Sequence, residues 1–317
     1  MKQILVSGGA GFLGSNLIKA LLPNYQVVVI DNLSTGRRSN LQALEGQPNF
    51  LKFIEADICQ PLPASLREMK FDFIMNLASP ASPPGYQRLA LETLRVGSIG
   101  TENLLELARE QQARFFHAST SEVYGDPEIH PQPESYWGNV NSYGPRSMYD
   151  ESKRYAEALI YSYRQQYGLD TAIVRIFNTY GPQMDPADGR VVSNFIVQAL
   201  RQQPITVYGQ GEQTRSFCYV DDLIRGFILL LESREAGPIN LGNPGEFTVA
   251  ELAATVIRLT NSQSIIEYSP LPKDDPMQRQ PDIRLAQELL GWQPAIDLES
   301  GLQKTIEYFK HEIAAEN

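Results

Sequence analysis

The segment Ile4-Leu-Val-Ser-Gly8-Gly-Ala-Gly11-Phe-Leu-Gly14-Ser-Asn-Leu-Ile-Lys-Ala-Leu-Leu22 leaves the start of this chain few ways to fold. A short apolar strand, Ile4 to Val6, runs into clustered glycines and then into a helical pattern with Leu13, Leu17, Leu21 and Leu22 on one face. Glycines between strand and helix permit a tight turn and close approach of backbone N–H groups to a pyrophosphate, which rests on the helix N-terminus. A second apolar strand, Val27 to Ile30, ends in Asp31, seventeen residues past Gly14. A carboxylate there accepts hydrogen bonds from an adenosine ribose and repels a 2′-phosphate, which favours NAD over NADP. Arg37 and Arg38 follow closely and pull the other way.

Strand-like and helix-like patterns go on alternating through the first half, as in a parallel sheet with helices on both faces. Six strand-like runs precede residue 180; the later ones are Phe50–Ile58, Phe71–Ala78, Arg114–Ser119 and Ala172–Phe177. Long helical patterns cover about Leu91–Gln112 and Tyr149–Tyr167. Beyond Asn178 the texture changes to turn-rich sequence, short elements and a Pro-rich joint at Pro270 to Pro281. The expected architecture is α/β: a Rossmann-like doubly wound parallel sheet with a smaller C-terminal α/β substrate-binding lobe. The sheet domain is expected over 1–178 plus roughly 217–243, and the lobe over 179–216 and 244–317.

Composition narrows the function. The 317 residues carry a net charge of −10, which argues against nucleic acid or an anionic membrane as partner. An anionic substrate then depends on a few well-placed arginines. Cys59 and Cys218 show neither metal spacing nor a disulfide framework and read as buried thiols in a reducing compartment. The first strand starts at the N-terminus, and no apolar run approaches the ~18–20 residues that span a bilayer. A cytoplasmic protein is the expectation. The histidines His117, His130 and His311 are scattered, and no metal site is expected.

Tyr149 and Lys153 sit four residues apart in a helical pattern and share one helix face. A phenol titrates near ~10 and becomes a useful base only when a neighbouring cation favours its phenolate. Lys153 can be that cation, although the spacing alone is common on solvated helix faces. Ligands of open α/β sheets bind beyond the carboxyl ends of the strands. Thr120, Ser121 and Glu122 lie just past such an end, as do Ser79 to Tyr86 and Asn178. Hydroxyls there often cap the next element. Glu122 beside a nicotinamide could act as an acid or base, its pKa tuned by burial.

Several longer strings carry a family resemblance: Leu77-Ala-Ser-Pro-Ala-Ser-Pro-Pro84, Ser119-Thr-Ser-Glu-Val-Tyr-Gly-Asp-Pro127, Tyr149-Asp-Glu-Ser-Lys153, Gly189-Arg-Val-Val-Ser-Asn-Phe195, Thr206-Val-Tyr-Gly209, Gln213-Thr-Arg-Ser-Phe217 and Asp274-Asp-Pro-Met-Gln-Arg279-Gln-Pro-Asp282. With the glycine-rich turn, they make the chain resemble the extended short-chain dehydrogenase/reductase superfamily over its whole length and, within it, the UDP-glucuronate decarboxylases. Related 4,6-dehydratases carry an Asp-Glu pair where Ser121-Glu122 stands, and 4-epimerases usually lack the glutamate. Two departures stand out: many members have glycine where Ser152 sits, and many in the superfamily have asparagine where Gly97 sits.

The resemblance implies NAD-dependent decarboxylation of a UDP-sugar acid through a 4-keto intermediate, with Tyr149, Lys153, Thr120, Ser121, Glu122 and Arg279 as the catalytic set. It implies a cofactor site of Gly8, Gly11, Phe12, Leu13 and Gly14 in the first turn and Asp31, Asn32, Ser34, Thr35 and Gly36 after the second strand. Asp57, Ile58, Leu77 and Ala78 complete it, together with Tyr149 and Lys153. Pro83, Tyr86, Glu122, Asn178 and Val191 are implied on the substrate, as are Tyr208 and Gln213. Arg190, Arg215 and Arg279 would bind its anionic groups; whether Arg279 holds phosphate or carboxylate stays open. The resemblance also implies a homodimer joined by a four-helix bundle of the Leu91–Gln112 and Tyr149–Tyr167 helices. The competing readings are a UDP-sugar 4-epimerase and a non-catalytic NAD-binding sensor, which would have no need of Thr120, Tyr149 and Lys153 together.

Overall fold

Apolar runs too short for helices, bounded by turn residues, become the strands of one parallel sheet. The computed structural model describes residues 1–271 and 278–315, so the Asp274 to Met277 part of the last quoted string lies outside the described residues. The strands are β1 (Gln3–Ser7), β2 (Gln26–Asp31), β3 (Phe50–Glu55), β4 (Phe73–Asn76), β5 (Arg114–Thr120), β6 (Thr171–Ile176) and β7 (Ile239–Leu241). Their order across the sheet is β7-β6-β5-β4-β1-β2-β3, every neighbouring pair parallel. The third strand is shorter than its apolar run suggests, leaving Asp57 and Ile58 in the loop beyond it.

Strands covered on both faces need apolar residues at successive positions. Alternate side chains then serve different layers. Ile4, Val6, Val27 and Val29 pack on one side with Leu17, Ile18 and Leu21 of α1 (Phe12–Leu21). Leu5, Val28, Ile30 and Ile74 pack on the other, with Leu104, Leu105 and Ala108. A side chain at Gly14 would place its Cβ 2.2 Å from the Gly8 carbonyl oxygen, so this glycine lets α1 seat against the turn.

The helical stretch expected over Leu91–Gln112 is not one regular helix. It comprises α2 (Ala90–Arg95), a π-turn at Val96–Gly100, and α3 (Thr101–Gln111). The π-turn faces α4 (Ser147–Tyr167), where a Cβ on Gly97 would stand 2.6 Å from the Ser152 Cβ. The two departures from the family pattern thus meet in space, and the missing side chain at Gly97 makes room for the one at Ser152.

The second lobe holds a small sheet of Glu246–Thr248, Thr214–Ser216 and Gln278–Arg279. In it Arg279 pairs with Arg215 in register, which brings two cations from distant sequence to the mouth of the main sheet.

Candidate active site

Two cavities open at the carboxyl ends of the strands. Gly8, Gly11, Phe12, Leu13 and Gly14 line the first, and so do Asp31, Asn32, Ser34, Thr35 and Gly36. Asp57, Ile58, Leu77 and Ala78 line its far side. The second, about 470 Å³, is of small-molecule size. It is lined by Thr120, Ser121, Glu122, Tyr149, Lys153 and Arg279. Pro83, Tyr86, Asn178, Arg190, Val191, Tyr208, Gln213 and Arg215 also border it. Leu13, Leu77, Ser79, Ala81 and Arg190 border both, so the cavities adjoin. Every residue implied for the cofactor, catalytic or substrate site therefore lines one cavity or the other, with Tyr149 and Lys153, also implied on the cofactor, lining the second.

The first cavity fits a dinucleotide. A Cβ on Gly11 would meet only the Gly8 carbonyl oxygen, at 3.3 Å, leaving its outer side open at the N-terminus of α1. The Asp31 carboxylate is buried and oriented by the backbone N–H groups of Ala10 (2.9 Å) and Leu33 (2.8 Å). Burial raises its pKa. Of the two arginines that clouded the choice of cofactor, Arg37 borders this cavity and Arg38 does not, and both have partners of their own. Arg37 donates to Glu312 (3.0 Å) and to the Tyr308 hydroxyl (3.1 Å). Arg38 donates to Glu45 and lies over Phe53.

In the second cavity the sequence expectation needs correction at two atoms. Burial pushes the Tyr149 phenol up to about 12, against the opposing hydrogen bond of Thr120. The Lys153 ammonium donates to the Ala118 carbonyl oxygen at 2.7 Å and lies 5.9 Å from the Tyr149 ring centroid. Burial pulls its own pKa down to about 8, while Glu157 works the other way. Burial thus works against the phenolate that Lys153 would favour. Tyr86 stacks on Tyr149 with ring centroids 5.0 Å apart, fixing the phenol's plane.

Glu122 departs in the opposite sense. Burial would raise its pKa, but Arg279 and Arg146 outweigh that and hold it well below the usual carboxylate range. Arg279 Nη1 stands 3.0 Å from Glu122 Oε1, and Arg146 Nη2 is 2.7 Å from Oε2. Arg279, only 2% exposed, also donates to the Ser121 hydroxyl and the Gly125 carbonyl oxygen. It is thus committed to the Glu122 end of the cavity. Arg190 pairs with Asp188, and Arg215 lies in register beside Arg279.

Two residues of this cluster were missed in the sequence. Arg146 precedes α4 directly and reaches back to Glu122; its one sequence signal is its place a turn before Tyr149. Asp150, next to Tyr149, has no signal in the sequence beyond its place in the Tyr149–Lys153 string and is buried. Cys59, expected to be buried, is half-buried in the wall of the first cavity, while Cys218 is fully buried. Among the described residues no group of histidine, cysteine, aspartate or glutamate is placed to hold a metal ion, and no helix is long and apolar enough to cross a membrane.

A parallel sheet with a glycine-rich first turn, opening onto a tyrosine–lysine pair and a polar strand mouth, defines a dinucleotide-dependent enzyme of the short-chain dehydrogenase type. The chain belongs to the NAD dependent epimerase/dehydratase family, whose model matches residues 4–242. It is 50% identical to UDP-glucuronic acid decarboxylase 1 of Danio rerio, over 98% of this chain and 73% of that protein. It is 52% identical to UDP-glucuronic acid decarboxylase 3 of Arabidopsis thaliana, over 97% of this chain and 89% of that one. Among solved structures it resembles a UDP-glucuronic acid 4-epimerase from Bacillus cereus in complex with UDP-glucuronic acid and NAD, with a TM-score of 0.89 and 30% identity over 98% of this chain and 99% of that chain.

Proposed function

We propose that the chain converts UDP-glucuronate to UDP-xylose and CO2, redox-neutral overall, with NAD as its cofactor. The observation that carries this reading is the clamping of Glu122 between Arg146 and Arg279, beside Ser121, in the cavity that Tyr149 and Thr120 line. Two guanidiniums against one carboxylate leave positive charge for a substrate carboxylate, and arginine's planar fork suits it. Identity of 50–52% to decarboxylases, against 30% to the 4-epimerase, supports the same choice.

The chemistry follows from the placement. NAD, when bound, supplies positive charge and a reversible hydride acceptor. Tyr149 takes the proton of the sugar's C4 hydroxyl. Oxidation at C4 leaves a β-keto acid, whose bond to the carboxylate breaks as its electron pair moves onto the C4 oxygen. Hydroxyl donors at Thr120 and Tyr149 stabilise that oxyanion. Glu122 and Arg279 orient C5 and the departing carboxylate, and Tyr149 gives its proton back to the C4 oxygen when the ketone is reduced. Arg190 and Arg215, with Asn178, Tyr208 and Gln213, hold the UDP end. The division into a sheet domain for the cofactor and a lobe for the UDP-sugar is part of this reading, as is a cytoplasmic setting that keeps both thiols reduced.

The test is incubation with UDP-glucuronate and substoichiometric NAD, followed by mass spectrometry. A product lighter by CO2, without stoichiometric NADH, is expected. An isomer of unchanged mass would make the protein an epimerase.

The same reading includes a homodimer. Leu91 (62% exposed) and Ile99 (46%) lie on the α2–α3 stretch, and Tyr161 (64%) on α4. These apolar side chains mark a face that a second copy would cover, with α2–α3 and α4 pairing across a two-fold axis. Sedimentation is expected to give twice the 35.5 kDa chain. Leu91→Glu combined with Ile99→Glu should shift it to monomer, and a monomeric unsubstituted protein would refute the pairing.

A further inference from the structure

Decarboxylation leaves a proton account open. On the function proposed above, the C5–carboxylate bond breaks, CO2 departs, and C5 gains one proton for each turnover. Tyr149 cannot be its source, because the proton it takes from the C4 hydroxyl goes back to the same oxygen. Glu122 is a carboxylate held by two guanidiniums and has no proton to give. Arginine does not release its proton. The supply must come from another group or from unguided solvent.

One buried acid borders this cluster. Asp150 is 5% exposed, and among the described residues its buried Oδ1 has no hydrogen-bond partner. It sits one helical turn beyond Arg146, whose guanidinium bonds Glu122. The charged and titratable groups around it are Glu122 beyond β5, Arg279 from the second lobe, Arg146 and Glu151 on its own helix, and the phenols of Tyr86 and Tyr149. An unpartnered carboxyl oxygen in such a place is costly if charged and useful if it carries a proton. Asp150 does not line the substrate cavity, so it acts at one remove.

We propose that Asp150 supplies the proton that C5 receives, passing it through a water at the Glu122 edge of the cavity. In this step the enolate's electron pair takes a proton from that water at C5, and the water is restored from the Asp150 carboxyl. Asp150 is left as a carboxylate beside Arg146 and regains its proton from solvent before the next turnover. Burial, then the nearby Glu122 charge, raises the Asp150 pKa to about 7, which leaves the acid a substantial protonated fraction at neutral pH. The sign follows: the protonated form is the active one, so kcat should fall as pH rises through that value.

The experiment compares the native holoenzyme with Asp150→Asn and Asp150→Glu on UDP-glucuronate. Native enzyme in D2O should place deuterium at C5 in one configuration. Asp150→Asn should still form NADH in a single turnover, lose about 10²-fold in kcat, and scramble the deuterium at C5. Its pH profile should lack the limb near neutrality, which Asp150→Glu should restore with part of the rate. Retention of native kcat, limb and stereochemistry in Asp150→Asn would overturn the proposal. So would loss of C4 oxidation and product formation together with the limb unmoved, which is what a merely structural residue gives. Failure of the native enzyme to release CO2 would instead remove the function reading itself.

Discussion

Replacement of Tyr149 by phenylalanine is expected to lower kcat by about 10³-fold or more, the upper part of the range for a positioned proton-transfer group. The ring is retained, so its stack on Tyr86 and the seating of α4 should survive. Tyr149 lines the second cavity and not the first, so NAD retention and thermal stability should stay near native. Only the hydroxyl is removed, the group that on the proposed mechanism exchanges a proton with the C4 oxygen. Titration of bound NAD by fluorescence, alongside the rate of CO2 release, separates these effects. Near-native turnover would sink the mechanism, and loss of NAD binding would show that the substitution disturbs more than one oxygen.

Glu122→Gln is expected to uncouple the two halves of the reaction. The amide keeps a hydrogen-bond acceptor for Arg279 or Arg146 but removes the one negative charge that both guanidiniums share. Breaking a buried ion pair by removing one partner costs about 3–5 kcal/mol, and Arg279 is too buried to recover that through solvation. A lowered melting temperature should therefore accompany the kinetic change. Oxidation at C4, which uses Tyr149 and Thr120, should persist and let NADH accumulate on adding UDP-glucuronate. Release of CO2 should fall about 10²-fold or more. Unimpaired CO2 release would take Glu122 out of the chemistry and leave it a support for the two arginines.

Much of this site was legible because it is written in local patterns. The glycine-rich turn, the strand ending in Asp31, and the Tyr149–Lys153 spacing each depend on residues close in sequence, and the fold places them at one end of one sheet. Arg279 was legible only through the longer string around it, since nothing local distinguishes it from a surface arginine. What could not be read depends on burial. The sign of the Glu122 shift is decided by two arginines arriving from the start of α4 and from the second lobe. Arg146 and Asp150 look like ordinary polar residues at a helix start until the fold buries Asp150 and brings Glu122 to Arg146. The break in the helix beyond Leu91 was hidden for a similar reason, because Gly97 and Ser152 stand out in the sequence as separate departures and explain one another only when the helices touch.

The 157 residues that separate Glu122 from Arg279 give the chain an order of assembly. Synthesis delivers the glycine-rich turn, Tyr149 and Glu122 first, and domains fold in the order in which they emerge. Until residue 279 has been made, Glu122 lacks one of its two cations. The strand bearing Arg279 arrives near the end, and with it the charge balance that fits the cavity for an acidic sugar. The charge balance of the cavity is in this sense among the last of its features to be written into the growing chain.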